Sequence, residues 1–374
     1  MAKVAVMRCP KYQTNQIYSR ITEALWLLDY RLPDLTGKIA LVKPNILAAA
    51  PPEAAVCTHP AVVEAVIRLL QERGAQVWVG DSPAFDTLAK AARRSGIAEV
   101  VEKTRARLVD FSKATEVAVT PGLIVKKLQI AAPLTQVDFT VNVAKLKTHG
   151  LTRYTGAVKN LFGVIPGKRK AQFHMRMSQL KDFATLLLDI YAAVKPDLSI
   201  IDGIIGMEGA GPRNGNPRKM EALLLSTNGH YLDAAACALI GLKPEGVSTL
   251  REAMAYGLLD PAKLKILGED PAGYGLAGKV KLPPDSRGTS VNLPGFILDR
   301  LQNLLTAKPV LIPELCIGCG ICVESCPPKT IEIIGKKASF NYTNCIRCYC
   351  CQELCPQGAI ELKTSWLSRL LESR

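Results

Sequence analysis

Nine of the twelve cysteines lie between positions 316 and 355, and their spacing carries the most chemistry in the chain. They read Cys316-x2-Cys319-x2-Cys322-x3-Cys326-Pro327 and, 29 positions on, Cys345-x2-Cys348-x2-Cys351-x3-Cys355-Pro356. Three thiolates on one tight loop can meet three corners of a metal–sulfide cube, and the fourth is carried off by the proline that follows it. Gly318 and Gly320 let backbone amides approach the sulfides, and Ile317, Ile321, Ile331 and Ile360 would screen the cubes from water. Zinc knuckles also use CxxC pairs, but eight ligands in a duplicated run exceed what a tetrahedral site needs. Disulfides fit worse in a chain expected to live among reductants. Cys350, beside a ligand position, is read as packing near the metal rather than as a ninth ligand.

The duplicated run resembles the bacterial two-cluster ferredoxin type, in which the fourth cysteine of each run ligates the other cluster. In this numbering the resemblance implies one [4Fe-4S] cluster on Cys316, Cys319, Cys322 and Cys355. The other falls to Cys345, Cys348, Cys351 and Cys326.

A second constellation lies upstream. From Phe139 to Lys181 there is no Asp or Glu, but Lys145, Lys147, Arg153, Lys159, Lys168, Arg169, Lys170, Arg176 and Lys181 occur there with His149 and His174. Glycine and aromatic residues do the interleaving, as in Tyr154-Thr155-Gly156 and Asn160-Leu161-Phe162-Gly163. Glycine permits close backbone approach, and lysine with arginine neutralises phosphate or carboxylate, so an anion site is expected here. A solvated basic face is the bland alternative. No GxxxxGK[ST] occurs and no GxGxxG follows the first strand, so neither ATP-driven chemistry nor a dinucleotide fingerprint is supported. A third feature, Met207-Glu208-Gly209-Ala210-Gly211-Pro212, has the glycines and proline of a fixed loop, with Glu208 as acid, metal ligand or anchor.

The elements that must hold these residues alternate in type. Short apolar runs at Val4–Val6, Ile39–Val42, Val77–Val79, Val137–Val143, Leu198–Ile201 and Leu223–Leu225 predict buried strands. Helical spacing covers Ile17–Leu28, Pro60–Arg73, Phe85–Arg94, Leu180–Val194 and Tyr231–Ile240. This alternation predicts an α/β fold, mainly parallel, with helices on both faces. Ligands in such sheets bind at the carboxyl ends of strands. The turns Lys43-Pro44-Asn45, Gly80-Asp81-Ser82-Pro83 and Lys145-Leu146-Lys147-Thr148-His149 are therefore expected at the site. With 374 residues two or three domains fit: an α/β body over 1–295, a linker helix in 296–309, and a small α+β ferredoxin-like domain over 310–374. A second amphipathic piece, Ser365–Leu371, closes the chain.

Lys and Arg number 47 against 33 Asp and Glu, a formal charge of +14. Residues 310–374 hold seven basic and six acidic side chains, so nearly all of the excess belongs to the body. That predicts an anionic small molecule or an acidic redox partner protein, with nucleic acid the less economical account. The N-terminus shows no signal peptide and no apolar run reaches the ~18 residues of a membrane span, so a cytoplasmic location is expected.

The landmarks Lys43-Pro44-Asn45, Thr58-His59-Pro60, Gly80-Asp81-Ser82-Pro83, Lys145-Leu146-Lys147-Thr148-His149, Thr155–Gly163 and Met207-Glu208-Gly209-x-Gly211-Pro212 resemble domain of unknown function family 362. Members of that family often carry a C-terminal two-cluster module. The resemblance implies an iron–sulfur protein without a settled substrate. A more distant similarity to lactate racemase implies a two-part body with a cleft between its parts. The expected role is electron transfer through two clusters to a substrate or organic cofactor, such as a flavin, over the basic segment. Lys43, Asn45, Asp81, Lys145, Lys159, Asn160 and Glu208 are the candidate binding residues. Lys147 or His149 is the candidate proton donor, since reducing an organic group takes protons as well as electrons. A non-catalytic electron carrier whose basic body docks an acidic partner is the alternative. A deep pocket favours the first and a convex patch the second.

Overall fold

The computed structural model describes residues 1–167, 169–283 and 306–363. The body strands are β1 (Ala2–Arg8), β2 (Ile39–Pro44), β3 (Gln76–Val79), β4 (Arg107–Leu108), β5 (Ala114–Ala118), β6 (Lys127–Ala131), β7 (Phe139–His149), β8 (Arg153–Thr155), β9 (Leu198–Glu208), β10 (Asn216–Ser226) and β11 (Leu264–Gly268). One sheet takes them in the order β11-β1-β10-β9-β7-β2-β3-β4, with β8 folded back on β7, and β5 and β6 pair apart as a hairpin. Neighbours pair parallel except where β10 meets β1 and β9, and where β8 meets β7. The two parts of the body are thus the two ends of one mainly parallel sheet. The carboxyl ends of β2, β3, β7 and β9 lie along one edge.

Two apolar cores cover the two faces. Val42, Val141, Val143, Ile200 and Leu223 point to one, and Leu41, Ala144, Leu146, Ile201 and Leu224 to the other, which is the period-two alternation of a strand buried on both sides. Helices α1 (Thr14–Leu27) and α2 (Pro60–Gln71) cover the first face, and α2 starts where His59 Nδ1 accepts from Ala61 N at 3.2 Å. The helix expected over Phe85–Arg94 begins later, as α3 (Leu88–Arg94), capped by Thr87. Gly96, at φ 74°, turns the chain into a separate α4 (Ile97–Lys103). After it come α5 (Ala157–Asn160), α6 (Arg169–Arg176), α7 (Leu180–Val194), α8 (Gly229–Leu239) and α9 (Ser248–Ala255).

The structure also corrects the sequence reading at the strand ends, where Lys43 and Pro44 still belong to β2 rather than to a turn. The run Lys145–His149 is not a turn but the last five residues of β7, all eleven of which are buried. Glu208 likewise ends β9, a longer strand than Leu198–Ile201, and the loop starts only at Gly209. Between Lys145 and Lys147 the β7–β9 register shifts, from Lys145 opposite Asp202 to Lys147 opposite Met207. Such a bulge re-aims side chains at a strand end. The module is built on two two-stranded antiparallel sheets: β12 (Lys308–Leu311) pairs with β15 (Ile360–Lys363), and β13 (Ile331–Ile334) with β14 (Lys337–Phe340). The linker helix expected before it and the closing amphipathic piece lie outside the described residues.

Close packing at the strand ends leaves no room for added atoms. A Cβ on Gly163 would stand 2.0 Å from Asp81 Oδ1 and 2.7 Å from Lys43 Nζ. Gly163→Ala should therefore split a buried ion pair and destabilise the body by about 3 kcal/mol. Urea unfolding checks this; an unchanged midpoint would mean that the pair tolerates displacement.

Candidate active site

None of the twelve cysteines is paired in a disulfide. Cys316, Cys319, Cys322 and Cys355 line one hollow in the module. Cys326, Cys345, Cys348 and Cys351 line a second, with Cys350 beside them. Among the described residues no three His, Cys, Asp or Glu side chains converge closely enough to hold one ion. Thiols spread around a hollow suit the corners of a polynuclear cluster better than a tetrahedral ion. Two further details fit. Thr330 N donates to Cys326 Sγ at 3.3 Å and Ala359 N to Cys355 Sγ at 3.2 Å, at equivalent positions of the repeat. Such bonds stabilise a charged sulfur. Gly318, at φ 68°, also sits where a Cβ would lie 2.6 Å from Lys336 O, so the loop closes only with glycine there.

The module is seated on the body at the carboxyl edge of the sheet. The glycine-rich loop after β9 makes the joint: Asn214 Nδ2 donates to Gln352 O at 2.9 Å, Arg213 Nη1 to Leu354 O at 3.3 Å, and Gln352 Nε2 to Ala210 O at 2.9 Å. Gly211 brings that loop against β7, since a Cβ there would be 2.1 Å from Thr148 O. A cleft of about 1280 Å³ opens beside this joint, between the loops after β2 and β3, α6 and the module. Its walls include Asn45, Asp81, Lys147, Lys159, Asn160, Lys170 and His174 from the body, and Glu324, Cys326, Cys350 and Glu353 from the module.

The lysines differ sharply in their surroundings. Lys43 Nζ pairs with Asp81 Oδ1 at 2.7 Å, and Lys145 Nζ with Asp202 Oδ2 at 2.9 Å and Tyr12 Oη at 2.8 Å. Both are fully buried and neither can serve as a free anion hook. Lys147 has no carboxylate partner among the described residues. Its Nζ donates to Asn45 Oδ1 and Val56 O, each at 2.7 Å, and burial lowers its pKa to about 7. An ammonium has three N–H groups, so one remains to be given up toward the cleft. Asn160 Oδ1 accepts from Asn45 Nδ2 at 3.1 Å and from Lys43 Nζ at 3.4 Å, fixing the amides that orient Lys147. Lys159 is half-buried at the same wall, and burial lowers its pKa too. Burial likewise lowers Lys170 to about 8, and its Nζ bonds Ser82 O.

Four expected site residues stand off the cleft wall, the first being Lys43 in its buried ion pair. His149 lies behind the cleft wall, not on it. Its Nδ1 accepts from Leu151 N at 3.0 Å and burial lowers its pKa to about 4, so its one proton is on Nε2. A neutral imidazole whose second nitrogen is taken by backbone is a poor acid. Lys145 belongs to the buried Asp202–Tyr12 network. Glu208 is the anchor among its three readings, accepting from Lys281 N at 3.1 Å and pairing with Arg218 at 3.5 Å. The buried and paired state of Lys43, Lys145 and Lys147 also denies them contact with a nucleic-acid backbone.

The residue the sequence reading missed is Glu353. It projects from the module to within 3.5 Å of His149 Nε2. Burial works against its charge, but the His149 contact and the nearby Lys159 hold its carboxyl well below the usual range. A signal existed: Glu353 repeats Glu324 at the cysteine period of 29, and both line the cleft. Glu353→Ala removes the buried carboxylate that faces Lys159 and His149 Nε2 and should cost about 2 kcal/mol. Limited proteolysis of the joint is the readout, and protection equal to wild type would dismiss this role.

Fold and site together define an iron–sulfur protein: an α/β body carrying a module with two sets of four thiols beside a deep cleft. The chain belongs to the domain of unknown function family DUF362, whose model matches residues 40–238, and residues 308–356 match the 4Fe-4S dicluster domain. The thylakoid-associated protein sll1697 of Synechocystis sp. is 34% identical over 223 residues, covering 59% of this chain and 69% of that protein. The lactate racemase apoprotein of Thermoanaerobacterium thermosaccharolyticum aligns with a TM-score of 0.39 at 14% identity, over 64% of this chain and 57% of its own. That likeness is too loose to bear on activity. The dicluster match establishes iron–sulfur electron transfer as the module's chemistry, and no helix among the described residues is long and apolar enough to cross a membrane.

Proposed function

We propose that the protein is an oxidoreductase that draws electrons from a redox partner through two [4Fe-4S] clusters and delivers them to an organic acceptor in the cleft. One observation carries this reading: Cys326, a ligand candidate of the second cluster, shares the cleft wall with Lys147. The clusters, when bound on the two thiol sets, supply one electron each. Residues of the body do the rest. Asn45 and Asn160 orient Lys147, and its ammonium releases a proton to the acceptor as charge builds there. A two-electron reduction takes up two protons, one from Lys147 and one from water at the cleft mouth. The joint of Arg213, Asn214 and Gln352 keeps acceptor and module in one geometry.

The first thiol set lies at the outer side of the module. Cys319, Ile317 and Ile333 line its hollow and are exposed, as is neighbouring Ile334. That apolar surface supports approach of an outside electron donor. A large cleft favours an enzyme over a docking module with a convex basic face. The flavin expectation receives no support from the family matches. The test is anaerobic: reduced, desalted protein is mixed with anthraquinone-2-sulfonate as acceptor. About one equivalent reduced to the hydroquinone per chain is expected, two electrons from two clusters. Clusters that stay reduced in excess acceptor would refute the reading.

A further inference from the structure

We infer that the cleft takes a large conjugated organic anion, its charged head at Lys159 and its flat apolar body against Phe85, Phe111, Phe162 and Met175. This names the acceptor class for the activity proposed above and rests on that reading only in calling the ligand an acceptor.

Size speaks first. Pockets for drug-sized ligands run to roughly 300–1,000 Å³, and this cleft holds about 1280 Å³. A two- or three-carbon acid would leave it full of water and could not be positioned by its walls.

The walls give the body of the ligand. Phe85 is 47% and Met175 54% exposed, although both face a concave surface where apolar groups are normally covered. Phe111 and Phe162 continue the apolar lining inward. Aromatic and thioether side chains favour flat π-systems.

Lys159 gives the head. Glu353, the acid nearest in its electrostatic surroundings, lies 3.5 Å from His149 Nε2, and no ion pair holds Lys159 among the described residues. Its Nζ lies 6.0 Å from the Phe162 ring centroid, so cation and apolar wall adjoin. Lys43 and Lys145 carry buried carboxylate partners, and Lys147 and Lys170 are held by Asn45, Val56 O and Ser82 O, which leaves Lys159 as the cleft cation that adjoins the apolar wall. Clusters that give one electron at a time also require an acceptor able to carry an unpaired electron, and conjugation supplies that.

Isothermal titration calorimetry on oxidised, anaerobically purified holoprotein tests this without turnover. Anthraquinone-2-sulfonate is expected to bind one site per chain. Ethanesulfonate, the head without the body, should bind at least ~10-fold more weakly. Lys159→Gln and the double variant Phe85→Ala/Met175→Ala should each weaken the anthraquinone by about 10-fold, with iron content and melting temperature unchanged. Should Lys159→Gln not fold, Lys159→Arg must bind like wild type. Absence of binding, equal binding of ethanesulfonate, or affinities indifferent to both sets of variants would overturn the inference. Variant-sensitive binding without reduction by the reduced protein would keep this inference and remove the redox reading; reduction at wild-type rate by both variants would do the reverse.

Discussion

Replacing Cys326 with Ser should cost the protein the cluster of the second run, although Cys326 belongs to the first. Cys326 lines the hollow of Cys345, Cys348 and Cys351, and Cys355 that of Cys316, Cys319 and Cys322. The crossing follows from the fold, since each run closes three thiols on a loop and sends the fourth down a short helix, Ile321–Glu324 or Cys350–Leu354, toward the other hollow. Iron analysis of Cys326→Ser should fall from about eight toward about four per chain, or to about seven if a three-iron cluster survives. Paramagnetic resonance should show the first cluster untouched. Cys355→Ser should give the mirror result. Loss of the first cluster on removal of Cys326 would mean that each run ligates its own. Because Cys326 is also a cleft residue, this variant should stop reduction of anthraquinone-2-sulfonate in the cleft.

Lys147→Met should leave iron content intact and lower hydroquinone formation by about 100-fold or more, the low end of what a positioned acid contributes. The side chain is 1% exposed, bonded at two of three N–H positions and aimed at the cleft by the Asn45–Asn160 pair. Its pH signature has a definite sign. With the pKa lowered to about 7 by burial, the ammonium that gives the proton predominates below that pH and is depleted above it. Wild-type turnover should fall about tenfold per unit above pH 7, and the variant's residual rate should lose that dependence. A flat wild-type profile from pH 6 to 9 would take the acid role from Lys147.

How much of this was readable beforehand depends on distance along the chain. The cysteine runs announced themselves because their partners are neighbours and the repeat is local. Strand cores such as Leu41–Val42 and Leu223–Leu225 were legible because burial on both faces leaves continuous apolar runs. The lysines misled. Lys145 and Lys147 inside β7 look like a polar turn, yet they sit in a buried strand because Asp202 neutralises one and Asn45 with Val56 O holds the other. Those partners are 57, 102 and 91 residues away, beyond any local pattern. The same holds for Lys43 and Asp81, and of the cations in that basic segment Lys147, Lys159 and Lys170 line the cleft. Glu353 escaped notice because the thiols around it absorbed the meaning of its segment.

The central claim is that electrons leave through the cluster at the cleft wall. Freeze-quenched reduced protein, mixed with anthraquinone-2-sulfonate, puts it to the most direct test by paramagnetic resonance. An organic radical broadened and relaxed by magnetic coupling to the Cys326-ligated cluster is expected. A narrow radical signal relaxing as it does in free solution would contradict the account, because the acceptor would then be taking its electrons away from the cleft.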